Sequence, residues 1–158
     1  MAATLVWRLT GGAANSDPAA SLGGTASSEA VSGTAMNNVF DNVSVAEASA
    51  GDTEYRALSL HNSGDATAEN IELYISTVSP STDTTVTVAL DSGVQSVINE
   101  STAPSAPSLS FSEPLTGSRL SISNIAAAGA QRVWLKRVTS ASAGNYANDL
   151  MTITVEYA

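Results

Sequence analysis

The sequence predicts an all-β fold, an antiparallel β-sandwich with an extended N-terminal arm, on three observations. From Gly51 to Ala158 apolar and polar residues alternate in short runs, the period of strands whose successive side chains point to opposite faces. The runs are separated by Gly, Asn, Asp and Ser, residues that permit or stabilise tight turns. Helix formers cluster only over Val45–Ala50, which stops at Gly51 after less than two turns and reads as a short helix or turn.

The elements follow in chain order. Leu5, Trp7 and Leu9 alternate in a first strand. Thr10–Thr34 is mostly Gly, Ala, Ser and Asn, with too little to bury to offset its ordering entropy. It is expected as a disordered linker or as an arm laid on a neighbour; a first strand pairing within the same sandwich and followed by a long loop is the other reading. The chain therefore divides into an N-terminal strand and arm, residues 1–34, and a sandwich domain, residues 35–158.

In Tyr55–Asn62, Leu58 and Leu60 share one face while Ser59 and His61 share the other. Ile71–Ser76 sets Ile71, Leu73 and Ile75 against Glu72 and Tyr74, and Thr84–Leu90 sets Val86, Val88 and Leu90 against Thr85 and Thr87. Leu120 and Ile122 alternate with serines, Val133 and Leu135 with Arg132, Trp134 and Lys136, and Met151, Ile153, Val155 and Tyr157 with Thr152, Thr154 and Glu156. Six such segments suit an antiparallel sandwich with one solvated face per sheet. Asn62-Ser63-Gly64-Asp65, Asp91-Ser92-Gly93 and Ser142-Ala143-Gly144-Asn145 are the turns, and Pro104 and Pro107 mark a long loop within Glu100–Ser112.

Composition limits the function classes. Only 13% of the 158 residues are charged, and 15 acidic residues against 6 Lys and Arg leave a net charge of −9. That balance argues against nucleic acid and against an anionic membrane surface, both of which need a basic footprint. No run approaches a membrane-spanning length and no signal peptide is visible, so a soluble protein made in the cytosol is expected. Cysteine is absent, which removes disulfides and thiolate metal sites. A surface poor in charge and rich in small polar residues favours packing against other protein, although a Thr-rich β surface has the same composition.

Chemistry is hard to find. His61 is the single histidine, hence the only base for a Ser/His/Asp hydrolase, and it is expected on the outer face of a strand as an ordinary surface residue. There is no Gly-x-Ser-x-Gly elbow and no phosphate loop. The carboxylate pairs Asp52 and Glu54, Asp65 and Glu69, and Asp83 and Asp91 fit no calcium-loop spacing and read as solvated acids. No catalytic residue, cofactor or metal site is expected. Trp134, between Arg132 and Lys136 on an outer face, is either an anchor for a sugar or protein contact or a side chain packed under a loop or the arm.

A resemblance adds to this reading. Asn37-Asn38-Val39-Phe40-Asp41-Asn42-Val43-Ser44, then Ala50-Gly51-Asp52-Thr53-Glu54-Tyr55-Arg56 and Leu60-His61-Asn62, resembles a pattern of tailed-bacteriophage structural proteins. The Asn62–Ile71 stretch and Ile122–Gly129 resemble immunoglobulin-like modules, so the sandwich is expected to be of immunoglobulin-like or jelly-roll type. The resemblance spans roughly Asn37 to Tyr157 and carries no active site.

It implies a virion component on the capsid exterior, a decoration or cement protein that binds the major capsid protein across capsomer junctions, with copies of itself as a homotrimer. A tail, baseplate or connector adaptor is the alternative, and a carbohydrate-binding adhesion module is the lesser one because aromatics are few. Many modest contacts would together stabilise the shell. The contact candidates are Leu5, Trp7 and Leu9 on the arm, Asn38 and Phe40 beside it, and Trp134.

Overall fold

The computed structural model describes residues 2–147 and 149–158, so Met1 of the expected arm lies outside the described residues, as does Asn148. The strands are β1 (Leu5–Thr10), β2 (Ala26–Ala30), β3 (Asp52–Asn62), β4 (Ile71–Thr77), β5 (Thr84–Asp91), β6 (Leu120–Ile122), β7 (Ala130–Thr139) and β8 (Thr152–Glu156), with a helix α1 (Val45–Ala50) before β3. They form two antiparallel sheets, five-stranded in the order β2-β1-β3-β7-β5 and three-stranded in the order β6-β4-β8. This is the all-β sandwich that the alternation predicts.

The core lies between the sheets. Leu9, Leu58, Leu60, Val88, Val133 and Leu135 come from the large sheet, and Ile71, Leu73 and Ile122 from the small one, all buried in one cluster. Register explains the selection. Leu58 lies opposite Val133 and Arg56 opposite Leu135 in the β3–β7 pair, while Val88 faces Leu135 and Leu90 faces Val133 across β5 and β7. Residues directly opposite share a face, so one parity of each strand fills the core.

The predicted turns close as their chemistry requires. Asn62 is fully buried; its Oδ1 accepts from Gly64 N–H and Thr4 N–H, and its Nδ2 donates to Ala66 O and Ile125 O. One side chain thus ties the β3 turn to the N-terminus and to the loop before β7. Asp91 Oδ1 accepts from Gly93 N–H at 2.8 Å, the same local device. The helix starts on a capping box: Ser44 Oγ accepts from Glu47 N–H and the Glu47 carboxylate accepts from Ser44 N–H.

Two expectations are corrected. The N-terminal segment is not an extended arm; of the two readings the one with a first strand pairing within the same sandwich holds, because β1 lies inside the large sheet between β2 and β3, with Trp7 opposite Leu60 and Arg8 opposite Ser59. Its apolar content is low, and hydroxyls order it instead. Thr10 Oγ1 and Ser21 Oγ both donate to Ala57 O, Ser21 Oγ accepts from Thr10 N–H, and Thr10 Oγ1 accepts from Gly23 N–H. Thr10, Ser21 and Ser27 are buried, each small enough to bring backbone close to backbone.

Nor does the large sheet keep a solvated outer face. Tyr55, Ala57 and Trp134 on that face are buried under Val97, Leu109 and Phe111 of the loop between β5 and β6. β3 is consequently buried on both sides over most of its length.

Candidate functional site

Two features converge at the end of the sandwich where β3 begins. The first is a charged cluster on the core-facing parity of β3 and β7. Glu54 pairs with Arg137 in register, and Arg56 lies two residues along the same face. Arg137 Nε donates to Glu54 Oε2 at 2.5 Å, and its Nη1 donates to Asp41 O at 2.6 Å. Arg56, with no exposed surface, donates from Nη2 to Glu100 Oε2 at 2.5 Å and from Nη1 to Tyr55 O at 3.1 Å. Both guanidinium groups lie over the Phe40 ring, at 5.5 Å for Arg56 and 4.8 Å for Arg137.

Burial pushes the Glu54 carboxyl above its ordinary pKa, opposed by the charges of Arg137 and Arg56. Carboxylate oxygens of Asp41, Glu54 and Glu100 lie within 4.8 Å of one another, a spacing that would suit a hard cation. Two guanidinium groups already occupy that space and use those oxygens. The cluster therefore acts as a clamp: it fixes the segment carrying Phe40 and Asp41, and the loop carrying Glu100, onto the end of the core.

The second feature is that loop itself. Val97 N–H donates to Leu22 O, and Tyr55 N–H donates to Glu100 O, completing the β3 edge beyond the reach of β1. Val97 packs into the layer over Trp134, and on either side of it Val94 and Ile98 point outward, 73% and 89% exposed. Val45, at the start of α1, is 88% exposed. A loop anchored at Val97 and Glu100 thus holds aliphatic side chains out in water.

The contact candidates fall as follows. Leu9 is buried, and Leu5 and Trp7 pack half-buried against the same core cluster, so these three are used inside the molecule. Phe40 also packs on that cluster, beneath the two arginines. Asn38 is half-buried, and its Nδ2 donates to Ser32 O at 3.0 Å. Trp134 is wholly buried, with Nε1 donating to Asp91 Oδ2 at 3.1 Å, so the packed reading holds and the anchor reading does not. Its neighbour Lys136 sits 6.0 Å from the Phe111 ring, within the same covering layer.

His61 is half-buried, its pKa lowered by burial and by the nearby Arg8 charge. Among the described residues no hydrogen bond joins it to a serine or a carboxylate, so no hydrolase constellation is assembled around it. Reading the sequence for chemistry passes over the Arg56–Glu54–Arg137 clamp. Its signal is parity: Glu54 and Arg56 continue the face of Leu58 and Leu60, and Arg137 that of Val133 and Leu135. Charges of opposite sign continuing two core faces are expected to meet.

Among the described residues no helix is long and apolar enough to cross a membrane. No family model, curated protein or solved structure matches this chain.

Proposed function

We propose that this chain is a non-enzymatic structural protein of a virion, a capsid decoration protein that packs across junctions between shell subunits together with copies of itself. The observation that carries the proposal is the clamped loop presenting Val94 and Ile98. Aliphatic side chains held out by a fixed backbone lose little further entropy on docking, so each contact yields more of its burial free energy.

The charge distribution supports the same reading. Arg56, Arg132 and Arg137 are buried, and Arg119 is paired with Glu72 and Glu156. Little free positive charge remains for a polyanionic partner, while the small polar surface suits packing against protein.

The contact surface differs from the one expected at the N-terminus. Since β1 belongs to the sheet, contact is assigned to the loop between β5 and β6. The test is co-sedimentation of the purified protein with shells that lack it, after light scattering has given its mass. A trimer mass, saturation of the shells at a fixed stoichiometry by the native protein, and loss of that binding in Ile98→Asp with unchanged thermal stability are the expected results. Native protein that leaves the shells in the supernatant overturns the decoration role; Ile98→Asp that binds as well as native overturns the assigned surface.

A further inference from the structure

The small sheet ends in a strand that the fold leaves unpaired on one side: β8 is joined to β4 along one edge and to no strand along the other. Backbone parity identifies the groups left idle there. Ile75 pairs with Ile153 across one edge of β4 and is bridged to Leu115 across the other. Its N–H donates to Pro114 O at 2.7 Å, away from β8. Successive residues of a strand direct their N–H and C=O to opposite sides, so Glu72 and Tyr74 bond toward β8, with Glu156 and Thr154 as their partners. Just past the strand Ala158 keeps this parity, exchanging two hydrogen bonds with Glu69. Ile153 and Val155 therefore turn their N–H and C=O away from β4, and among the described residues no other backbone group bonds to them.

The opposite side of the sandwich is closed differently. There Val88 of β5 exchanges two hydrogen bonds with Ser112, which covers the edge of the large sheet. β8 lacks such cover, and its sequence Thr152-Ile153-Thr154-Val155-Glu156 has no Pro, no Lys and no inward-pointing charge to discourage pairing. Ile153 and Val155 pack on the core cluster yet stay half-buried, so this edge meets water with part of its apolar surface. Tyr157 Oη accepts from Leu5 N–H at 3.3 Å, which sets the end of β8 over β1. The large sheet consequently continues, by β2, past the last strand of the small one.

From this geometry we infer that β8 receives an extended segment of a partner protein as an added antiparallel strand, aliphatic at the positions facing the core and basic at the alternate ones. An extended chain is the form that presents donors and acceptors at the spacing of Ile153 and Val155. Residues placed opposite these two continue the core-facing side above Leu5 and Trp7, both half-buried, which selects aliphatic side chains. The solvated side selects charge. Glu72 and Glu156 share Arg119, which leaves negative charge in excess beside Thr152 and Thr154, on a chain whose net charge is −9. A second copy does not fit: two β8 edges brought together would drive the projecting β2 strands into each other, and both copies carry the same acidic balance. The docking edge does not depend on the shell-binding role, which uses the loop between β5 and β6, and it is tested without shells.

The probe is the peptide acetyl-Lys-Val-Lys-Val-Lys-amide. Centred opposite Thr154, its two valines face Ile153 and Val155 and exchange hydrogen bonds with them, while a terminal lysine lies opposite Glu156. The isotope-labelled full chain is titrated by NMR to about 10 mM peptide, above the roughly millimolar dissociation constant that about four hydrogen bonds of ordinary net strength provide. The Ile153 and Val155 amide signals should shift saturably, and their hydrogen exchange should slow by about tenfold at the end point. Thr154, whose N–H already bonds to β4, should keep its exchange rate.

Two control peptides isolate the backbone and the charge. The lysine peptide N-methylated at both valines lacks the donors aimed at the Ile153 and Val155 carbonyls and should give no saturable shift. Acetyl-Glu-Val-Glu-Val-Glu-amide keeps the backbone and should bind several-fold more weakly, since like charges meet across the pair. Absence of a saturable shift at Ile153 and Val155 with the lysine peptide overturns the inference. So does equal affinity for the glutamate peptide, or a valine-methylated peptide that binds as well as its parent.

Discussion

Trp134 offers the sharpest test of how the outer layer is built. Replacing it with Phe removes the pyrrole edge of a side chain that has no exposed surface, and takes away the donor to Asp91 Oδ2 at 3.1 Å. Asp91 is itself 1% exposed, so one carboxylate oxygen is left buried with its partner gone while Gly93 N–H still holds the other. Loss of a buried partner to a charged group costs about 1–3 kcal/mol, and the unfilled volume beneath Val97 and Phe111 adds about 1 kcal/mol. The expected destabilisation is therefore about 2–4 kcal/mol, a large share of the roughly 5–15 kcal/mol typical of a domain.

Urea unfolding followed by far-ultraviolet circular dichroism measures it as a fall in midpoint at constant slope. Trp134→Phe combined with Asp91→Asn should recover part of the loss, because the orphaned charge disappears; the coupling should be about 0.5–3 kcal/mol. Had Trp134 stood on a solvated outer face, the substitution would cost within about 0.5 kcal/mol. A measured loss below about 1 kcal/mol, or strict additivity in the double variant, refutes the buried layer and its hydrogen bond.

Further outcomes follow from other parts of the fold. Deleting residues 1–34 removes both β1 and β2, one side of the five-stranded sheet, and turns β3 into an edge strand, so the remainder should lose its cooperative urea transition and its dispersed amide spectrum; a folded remainder would show that the β1–β2 pair is dispensable. Arg56→Met leaves Glu100 without its close partner and Glu54 with Arg137 alone, and should cost about 3–5 kcal/mol by denaturant midpoint, part of it regained on adding Glu100→Gln. Gly23→Ala places a Cβ 2.1 Å from Gln95 O and 2.9 Å from Trp134 Cζ2, at a φ of +95°. Strain and overpacking together should exceed about 2 kcal/mol in the same assay.

The Glu47 carboxyl is held below its ordinary pKa, chiefly by the Ser44 N–H. Its contribution to stability is present above the unfolded-state pKa of 4.5 and is lost as the pH falls through the lower folded value. Glu47→Gln should therefore flatten the acid limb of the stability profile while leaving its alkaline side unchanged.

The sheet elements were legible because alternation is local. β4, β5 and β6 appear where Ile71, Leu73, Val86, Val88, Leu120 and Ile122 alternate, and α1 where helix formers meet a Ser44–Glu47 cap. β2 escaped notice, since Ala26–Ala30 has no apolar alternation and is held by pairing to β1. The charged clamp was legible in part through parity. Which loop would reach it was not, because Asp41 and Glu100 arrive from segments whose paths depend on the whole fold.

What the sequence determined by itself is the period-two pattern, the turns at Asn62 and Asp91, the acidic balance, and thereby an antiparallel all-β sandwich. The pattern and the turn chemistry are local, and the charge balance is a property of composition alone. What only the tertiary structure decided is the place of Leu5–Thr10 inside the sheet and the burial of Trp134 and Arg132. Solvation of a sheet face depends on what covers it, and here the loop between β5 and β6 closes over Trp134 through Val97 and Phe111. A strand's own alternation tells which residues share a face; only the packing of distant segments tells whether that face meets water.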